Sequence, residues 1–251
     1  GQRVVVSMPH GAFAEQVVAH ADNVFPIPDT LDFPAATNFP TIYATAYASL
    51  VWQARMRPGE TLLVHGAGGG SGLAAVDVGK ALGATVIATA GDSAKLAAAK
   101  SLGADHLINY REEPFREAVL GLTQGRGADV IFDPVGGDVF DQSLRCIAPE
   151  GRIFPIGFAG GTIPQIPANI LLVKNISVHG IYWGYYGGWA KQPRTAETIT
   201  RVREAMAALS QWQSAGKLKP LVHATYDLSN FATALDVITE RRAIGKVVLT
   251  T

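Results

Sequence analysis

From Thr61 onward the chain alternates short apolar runs with helical stretches, and this alternation restricts the fold more than any other feature. The candidate strands are 61–65 (TLLVH), 85–89 (TVIAT), 106–109 (HLIN), 129–133 (DVIFD), 151–156 (GRIFPI) and 176–181 (ISVHGI). The first four are apolar and β-branched, without the in–out alternation of a half-exposed strand, so both faces should be buried. Helical stretches at 71–82, 93–102, 113–123 and 138–146 lie between them. Each is long enough for the crossover that parallel pairing requires. The pattern predicts an α/β fold with a doubly wound parallel sheet in the order 3-2-1-4-5-6. Composition agrees: 17% of the residues are charged, against about 25% in a typical globular chain, which suits a sheet covered on both faces.

The flanks are less regular. Gly1-Gln2-Arg3 is neither an initiator methionine nor the start of a signal peptide, because no long apolar region follows. Residues 3–6 (RVVV) and 13–18 (FAEQVV) read as two strands of a hairpin. A hairpin alone is marginal, so the chain is expected to begin inside a domain whose front part is absent or encoded elsewhere. Residues 24–34 carry three prolines and read as a connector, followed by a helix bent near Pro40. After residue 190 come a helix over 195–215, a strand near 221–225, a helix near 229–241 and a closing strand at 246–250.

Several function classes fall away. Lysine plus arginine equal aspartate plus glutamate at 21 each, so the basic excess of a nucleic-acid binder is missing. No run approaches the roughly 20 apolar residues needed to span a bilayer, and the expected compartment is the cytoplasm. The single Cys146 excludes an intramolecular disulfide and a cysteine-built zinc site. The histidines at 10, 20, 65, 106, 179 and 223 form no i, i+4 pair, so no metal is expected. His65 and His179 read as core histidines and Cys146 as inert packing. No Tyr-x-x-x-Lys occurs, which argues against short-chain dehydrogenase chemistry.

The chemistry concentrates after the first apolar strand, in His65-Gly66-Ala67-Gly68-Gly69-Gly70-Ser71-Gly72. Literal G-x-G-x-x-G does not fit, but G-x-x-G-x-x-G does, at Gly66, Gly69 and Gly72. A strand that turns sharply into a helix with bare backbone N–H groups can seat a pyrophosphate. A P-loop would need Lys-Ser or Lys-Thr after its last glycine, where Leu73 stands, and a nucleophile elbow would need glycine at 73. Ser71 then reads as a helix-start residue facing a phosphate. The second strand ends Ala88-Thr89-Ala90-Gly91 without the acid that usually meets the ribose hydroxyls of NAD. Lys95 and Tyr110 follow, a cation and a hydroxyl that suit a 2′-phosphate, so NADPH is favoured over NADH.

Taken in order, TAYASL, VHGAGGGSG, ALGATVIATAGDSAKL, INYREE and FDPVGG resemble the zinc-free quinone oxidoreductases (the ζ-crystallin type) of the medium-chain dehydrogenase/reductase superfamily. The resemblance covers nearly the whole chain. It implies a Rossmann domain inserted in a GroES-like, β-rich catalytic domain, here partial because the family's early strands are missing. The implied division is 1–43 and 184–251 for the catalytic domain and 44–183 for the NADPH-binding domain. It also implies roles residue by residue. Thr45 meets the nicotinamide end, Gly69, Gly70 and Ser71 form the pyrophosphate turn, and Gly91, Lys95 and Tyr110 form the 2′-phosphate pocket. Gly157 and Phe158 pass beside the nicotinamide, Arg242 reaches the adenosine phosphate, and Lys246 lies close to it. Tyr182 and Trp183 line the substrate cleft; Tyr43, from its neighbourhood, is a further candidate. The aromatic run 182–189 has no fixed counterpart in the family and reads either as a packed loop or as a stacking platform. No catalytic acid is assigned, because the family's substrate-facing strands are not in this sequence.

The leading functional reading is NADPH-dependent, zinc-free hydride transfer to a quinone or an α,β-unsaturated carbonyl. The alternatives are an enoyl-thioester reductase and a cofactor-binding or structural protein without turnover. The strand at 176–181 closes one edge of the sheet, and an apolar edge invites pairing with another chain. A homodimer is expected, as in the family.

Overall fold

The computed structural model describes residues 1–251. Its contacts divide the chain into one unit of Gly1–Thr45 with Tyr182–Thr251, and a second of Ala46–Ile181.

The first unit opens with β1 (Val4–Val6), which pairs antiparallel with β2 (Val24–Pro26), Val4 opposite Pro26. This corrects the expected hairpin. Residues 13–18 form no strand, and Phe13 and Val18 are exposed, Val18 at 97%. A strand-like sequence takes up strand geometry only where a neighbouring backbone completes its hydrogen bonds, and β1 takes Val24–Pro26 instead. The connector expected at 24–34 is corrected as well. Pro26 ends a strand, where a missing N–H costs no ladder bond. Asp32 then caps α1 (Phe33–Ala36), its Oδ1 accepting the Ala35 N–H at 2.7 Å. The expected bent helix is a succession of short segments, including α2 (Ala44–Tyr47) between wider π-type turns.

The second unit is the doubly wound sheet. Its elements run β3 (Thr61–Val64), α3 (Gly70–Ala81), β4 (Thr85–Ala90), α4 (Ser93–Ser101), β5 (His106–Asn109), α5 (Phe115–Leu122), β6 (Ala128–Asp133), α6 (Gly137–Cys146), β7 (Ile147–Pro155), α7 (Ala168–Lys174) and β8 (Ser177–Val178). All six strands are parallel in the order β5-β4-β3-β6-β7-β8, which is the predicted 3-2-1-4-5-6. One face of the sheet is packed by Leu63, Ile87, Ile131 and Ile153 against Val119, Phe140 and Leu144. Leu62, Val64, Val130 and Phe132, the intervening residues of the same strands, are buried too. That explains the uninterrupted apolar runs.

Two strand lengths differ from expectation. β7 starts at Ile147 rather than 151, because the Pro149-Glu150-Gly151 turn signal sits at a register shift inside the strand, with Glu150 at φ +61°. β8 is two residues long rather than six. Arg152 pairs with Ser177, Ile153 with Val178, and the His179 N–H donates to the Ile153 carbonyl at 2.9 Å. The next residue of β7 facing that edge is Pro155, which has no N–H to offer. His179 therefore lies just past the strand, its ring stacked on Phe154.

The chain then returns to the first unit through α8 (Trp183–Tyr186), α9 (Ala196–Ser214), β9 (Val222–Asp227), α10 (Phe231–Thr239) and β10 (Lys246–Thr250). β10 and β9 pair parallel as a two-stranded sheet.

Candidate functional site

The reversal of strand order falls between β3 and β6, and ligands of doubly wound sheets bind outside the strand ends at such a point. The turn that leaves β3 there is held by backbone bonds. The Ala67 N–H donates to the Thr89 carbonyl at 2.9 Å, Gly69 to Gly66 at 3.0 Å, and Leu73 to Gly69 at 2.9 Å, the last opening α3. Gly66 has φ +57°, which suits glycine. Gly72 has no room for a side chain: a Cβ there would overlap the Gly66 carbonyl oxygen and lie 2.8 Å from Ala67 Cα. Gly69 is different, with only ordinary contact to Gly66 oxygen at 3.5 Å, and it is exposed. The first-turn N–H groups of α3, from Gly70 to Gly72, have no acceptor within the helix. The turn thus offers bare, fixed donors and a helix N-terminus, which is what an anionic diphosphate needs.

At the other side of the crossover, β6 ends in Asp133, fully buried. Its Oδ1 accepts the N–H groups of Val135 and Gly136 at 2.8 and 3.1 Å, shaping the loop into α6. Its Oδ2 has no partner, and burial pushes this carboxyl above the usual range. The loops after β6 and β7 are laced together: Ile156 donates to Asp133, Ala159 to Pro134 and Gly160 to Val135. Gly157 faces the Pro134 carbonyl, and the Phe158 ring lies against Gly136. Gly66 in turn faces Pro134, 3.3 Å from where its Cβ would stand. The glycine turn, the 134–137 loop and the Gly157-Phe158 segment are therefore neighbours. Asp133 and its loop carry no assignment from the sequence, although Asp-Pro-Val-Gly-Gly at a strand end is a turn signature of the Asx kind.

The end of β4 supplies the second corner. Gly91 touches Tyr110, so a Cβ there would meet the phenol oxygen at 2.6 Å, and Tyr110 is half exposed. The Lys95 stem covers Gly68, and its Nζ stands 3.3 Å from Asp92. Asp92 caps α4 by accepting the Lys95 N–H at 2.9 Å. That bond, with the ammonium beside it, holds the Asp92 carboxyl below its usual range. Asp92 is thus occupied as a helix cap with Lys95 over it. Gly91, Lys95 and Tyr110 come together beside the glycine turn.

The remaining candidates lie in the first unit. The Thr45 hydroxyl donates to the Thr41 carbonyl at 2.7 Å. Lys246 donates to the Thr37 carbonyl at 2.7 Å, and burial pushes its ammonium below the usual range. It borders a cavity of about 310 Å³ with Ser7, Met8, Phe13, Thr41 and Val248. Arg242 is on the surface, paired with Glu240 at 2.6 Å. Of the three aromatic residues expected to line a cleft, only Tyr182 is exposed. Tyr43 is buried with its ring stacked on Phe39, and the buried Trp183 donates its indole N–H to the Pro40 carbonyl at 2.7 Å. No group of three or more His, Cys, Asp or Glu side chains stands close enough to hold a metal ion.

Residues 70–201 match the family model described as zinc-binding dehydrogenase. The quinone oxidoreductase-like protein 2 homolog of Nematostella vectensis is 41% identical over 254 residues, spanning all of this chain and 67% of that protein. A phenolphthiocerol/phthiocerol polyketide synthase of Mycobacterium tuberculosis is 32% identical over 249 residues, 99% of this chain and 11% of the synthase. Among solved structures, the Escherichia coli quinone oxidoreductase complexed with NADPH superposes with a TM-score of 0.85 at 30% identity, covering all of this chain and 76% of that one. By its sheet order, its glycine turn and these matches, the chain belongs to the quinone oxidoreductases of the medium-chain dehydrogenase/reductase superfamily.

Proposed function

We propose that this protein is an NADPH-dependent oxidoreductase that reduces a quinone or an α,β-unsaturated carbonyl without zinc. The observation that carries the cofactor choice is the end of β4, where Gly91, Lys95 and Tyr110 converge and Asp92 is occupied as a helix cap. A basic side chain and a phenol in that place favour a 2′-phosphate over a free ribose hydroxyl. The similar quinone oxidoreductase of E. coli is complexed with NADPH, which supports the same reading.

The residues that would hold the cofactor divide by role. Gly70 and Ser71 present backbone N–H groups to the pyrophosphate, and Gly69, whose own N–H is held by the Gly66 carbonyl, leaves the approach free of a side chain. Gly91, Lys95 and Tyr110 take the 2′-phosphate. Gly157 and Phe158, tied to the Pro134 loop, border the nicotinamide half; the resemblance further gives Thr45 to the nicotinamide end and Arg242, with Lys246 close to it, to the adenosine phosphate. When bound, the reduced nicotinamide supplies a hydride. A conjugated acceptor needs no Lewis acid to be electrophilic, which is why zinc is left out; metal analysis of the active protein tests this. The proton comes from solvent or a nearby hydroxyl. We place the protein in the cytoplasm and propose a homodimer joined at the β8 edge. The exposed Leu172 and Val173 on the preceding helix support that interface, and light scattering reads the stoichiometry.

A second reading is reduction of an enoyl thioester, favoured by the similarity to a polyketide synthase. The deciding experiment is a steady-state screen with NADPH against quinones, alkenals and enoyl thioesters. Saturable turnover with quinones or alkenals supports the proposal, and turnover confined to thioesters favours the second reading. NADPH binding without turnover would leave a cofactor-binding protein, and no binding of NADPH would overturn all of these.

A further inference from the structure

His65 is the last residue before the glycine turn and is 2% exposed. Its Nδ1 lies 3.0 Å from the Thr89 hydroxyl and its Nε2 2.9 Å from the Ser143 hydroxyl. The ring packs edge-on against Phe115. The proton placement follows from counting hydrogens. The Ser143 hydroxyl has one proton, and it stands 2.7 Å from the Val139 carbonyl, which can only accept. Ser143 must therefore accept from His65 at Nε2. With Nε2 protonated, Nδ1 accepts from the Thr89 hydroxyl. The result is a directed chain, Thr89 to His65 to Ser143 to Val139, with every buried polar atom satisfied.

Thr89 is also the residue whose carbonyl receives the Ala67 N–H at 2.9 Å, and the His65 N–H donates to Phe132 at 3.0 Å. Residues 65–67 are thus pinned to β4 and β6 by backbone and to α6 by the imidazole. We infer that His65 is a positioning residue for the dinucleotide turn: a neutral imidazole, protonated on Nε2, that fixes the turn's donors by bracing β3 between Thr89 and Ser143. This rests on the proposed cofactor binding only for its functional consequence.

Two variants dissect the brace. His65→Asn keeps an acceptor near Nδ1 for Thr89 and removes the donor to Ser143. His65→Gln keeps a donor near Nε2 and removes the acceptor for Thr89. Each loses about one buried hydrogen bond, so each is expected to weaken NADPH about 5- to 10-fold. Adenosine 2′-monophosphate, which has no pyrophosphate, should bind both variants as it binds the unaltered protein, at temperatures well below their melting points. Equal losses for both ligands, or a lower Tm with no change in NADPH affinity, would overturn the inference. The unliganded protein gives an independent reading. Imidazole ¹⁵N and ¹³C shifts should report the Nε2–H tautomer, and the Ala67–Gly70 amide resonances should move in both variants. An Nδ1–H tautomer, or turn amides unchanged by the substitutions, would overturn it. If the unaltered protein binds no NADPH, the functional reading fails and these spectra still decide the brace.

Discussion

The three spaced glycines of the turn make different demands, and substituting them separates folding from binding. At Gly72 an alanine Cβ would overlap the Gly66 carbonyl oxygen and approach Ala67 Cα and Gly66 carbon at 2.8 Å. These are backbone atoms, and the Ala67–Thr89 and Gly69–Gly66 hydrogen bonds hold them. Overpacking typically costs about 1–3 kcal/mol, and a site that cannot relax belongs at the upper end. At roughly 2–4 °C per kcal/mol for a chain of this size, Gly72→Ala should lower Tm by about 6–12 °C. Gly69→Ala meets only an ordinary contact of 3.5 Å, and Gly69 has an unstrained φ of −83°. Its Tm should stay within about 2 °C of the parent, since surface changes away from special features shift stability by about 0.5 kcal/mol or less. Its methyl would nevertheless stand on the exposed side of the turn, so NADPH affinity should fall at least tenfold. Thermal melts followed by circular dichroism give the first comparison and NADPH fluorescence titration the second. A Gly72→Ala protein that melts with the parent refutes the packing argument, and a Gly69→Ala protein that binds NADPH undiminished refutes the placement of the pyrophosphate.

The other predictions concern charge and reactivity. Lys95→Ala should cost NADPH about 1.5 kcal/mol, roughly tenfold, because one charge-assisted contact is lost, while NADH binding stays unchanged; isothermal titration with both cofactors checks this. Burial lowers His65 from 6.5 to about 3, so the unfolded chain takes up a proton near 6.5 that the folded chain refuses until about 3. Stability is therefore lost as pH falls through that window, by up to roughly 4–5 kcal/mol at 1.36 kcal/mol per pH unit. Urea melts at pH 7 and 4.5 should show a smaller acid loss for His65→Gln than for the parent, and parallel losses would count against a buried neutral imidazole. Cys146 is fully buried, with its thiol pushed up to about 11 by burial, so it should resist alkylation in the native protein and react fully in urea, as mass spectrometry will show. Val178→Pro removes a backbone donor at the β8 edge and should shift a native dimer toward monomer in light scattering; a dimer indifferent to it would exclude strand pairing as the interface.

The Rossmann half was legible because its signals are local. Leu62, Leu63 and Val64 are apolar in succession because both sheet faces are covered, and the glycine turn after them states where the helix begins. The first unit was harder to read, since its strands are defined by partners distant in sequence. Residues 13–18 carry a strand composition without an observed neighbour, while Val24–Pro26, hidden among prolines, is the segment that pairs with β1. The length of β8 was set by a proline on the adjacent strand, Pro155, which no inspection of 176–181 alone reveals. For the site, residue types pointed to the Lys95–Tyr110 corner, because a missing acid and a nearby cation are visible in one stretch. The His65–Ser143 pairing joins the end of β3 to a helix 78 residues away, and such a closure appears only once the sheet order is known, whereas Asp133 closes a local turn whose Asx signature is present in the sequence.

The most direct test of the cofactor assignment is a side-by-side equilibrium titration of the purified protein with NADPH and NADH at fixed salt. The expected result is saturable, stoichiometric binding of NADPH, at least about tenfold tighter than NADH, as one charge-assisted phosphate contact implies. Equal affinities would contradict the 2′-phosphate corner at Gly91, Lys95 and Tyr110, and no binding of either would contradict the glycine turn as a dinucleotide site.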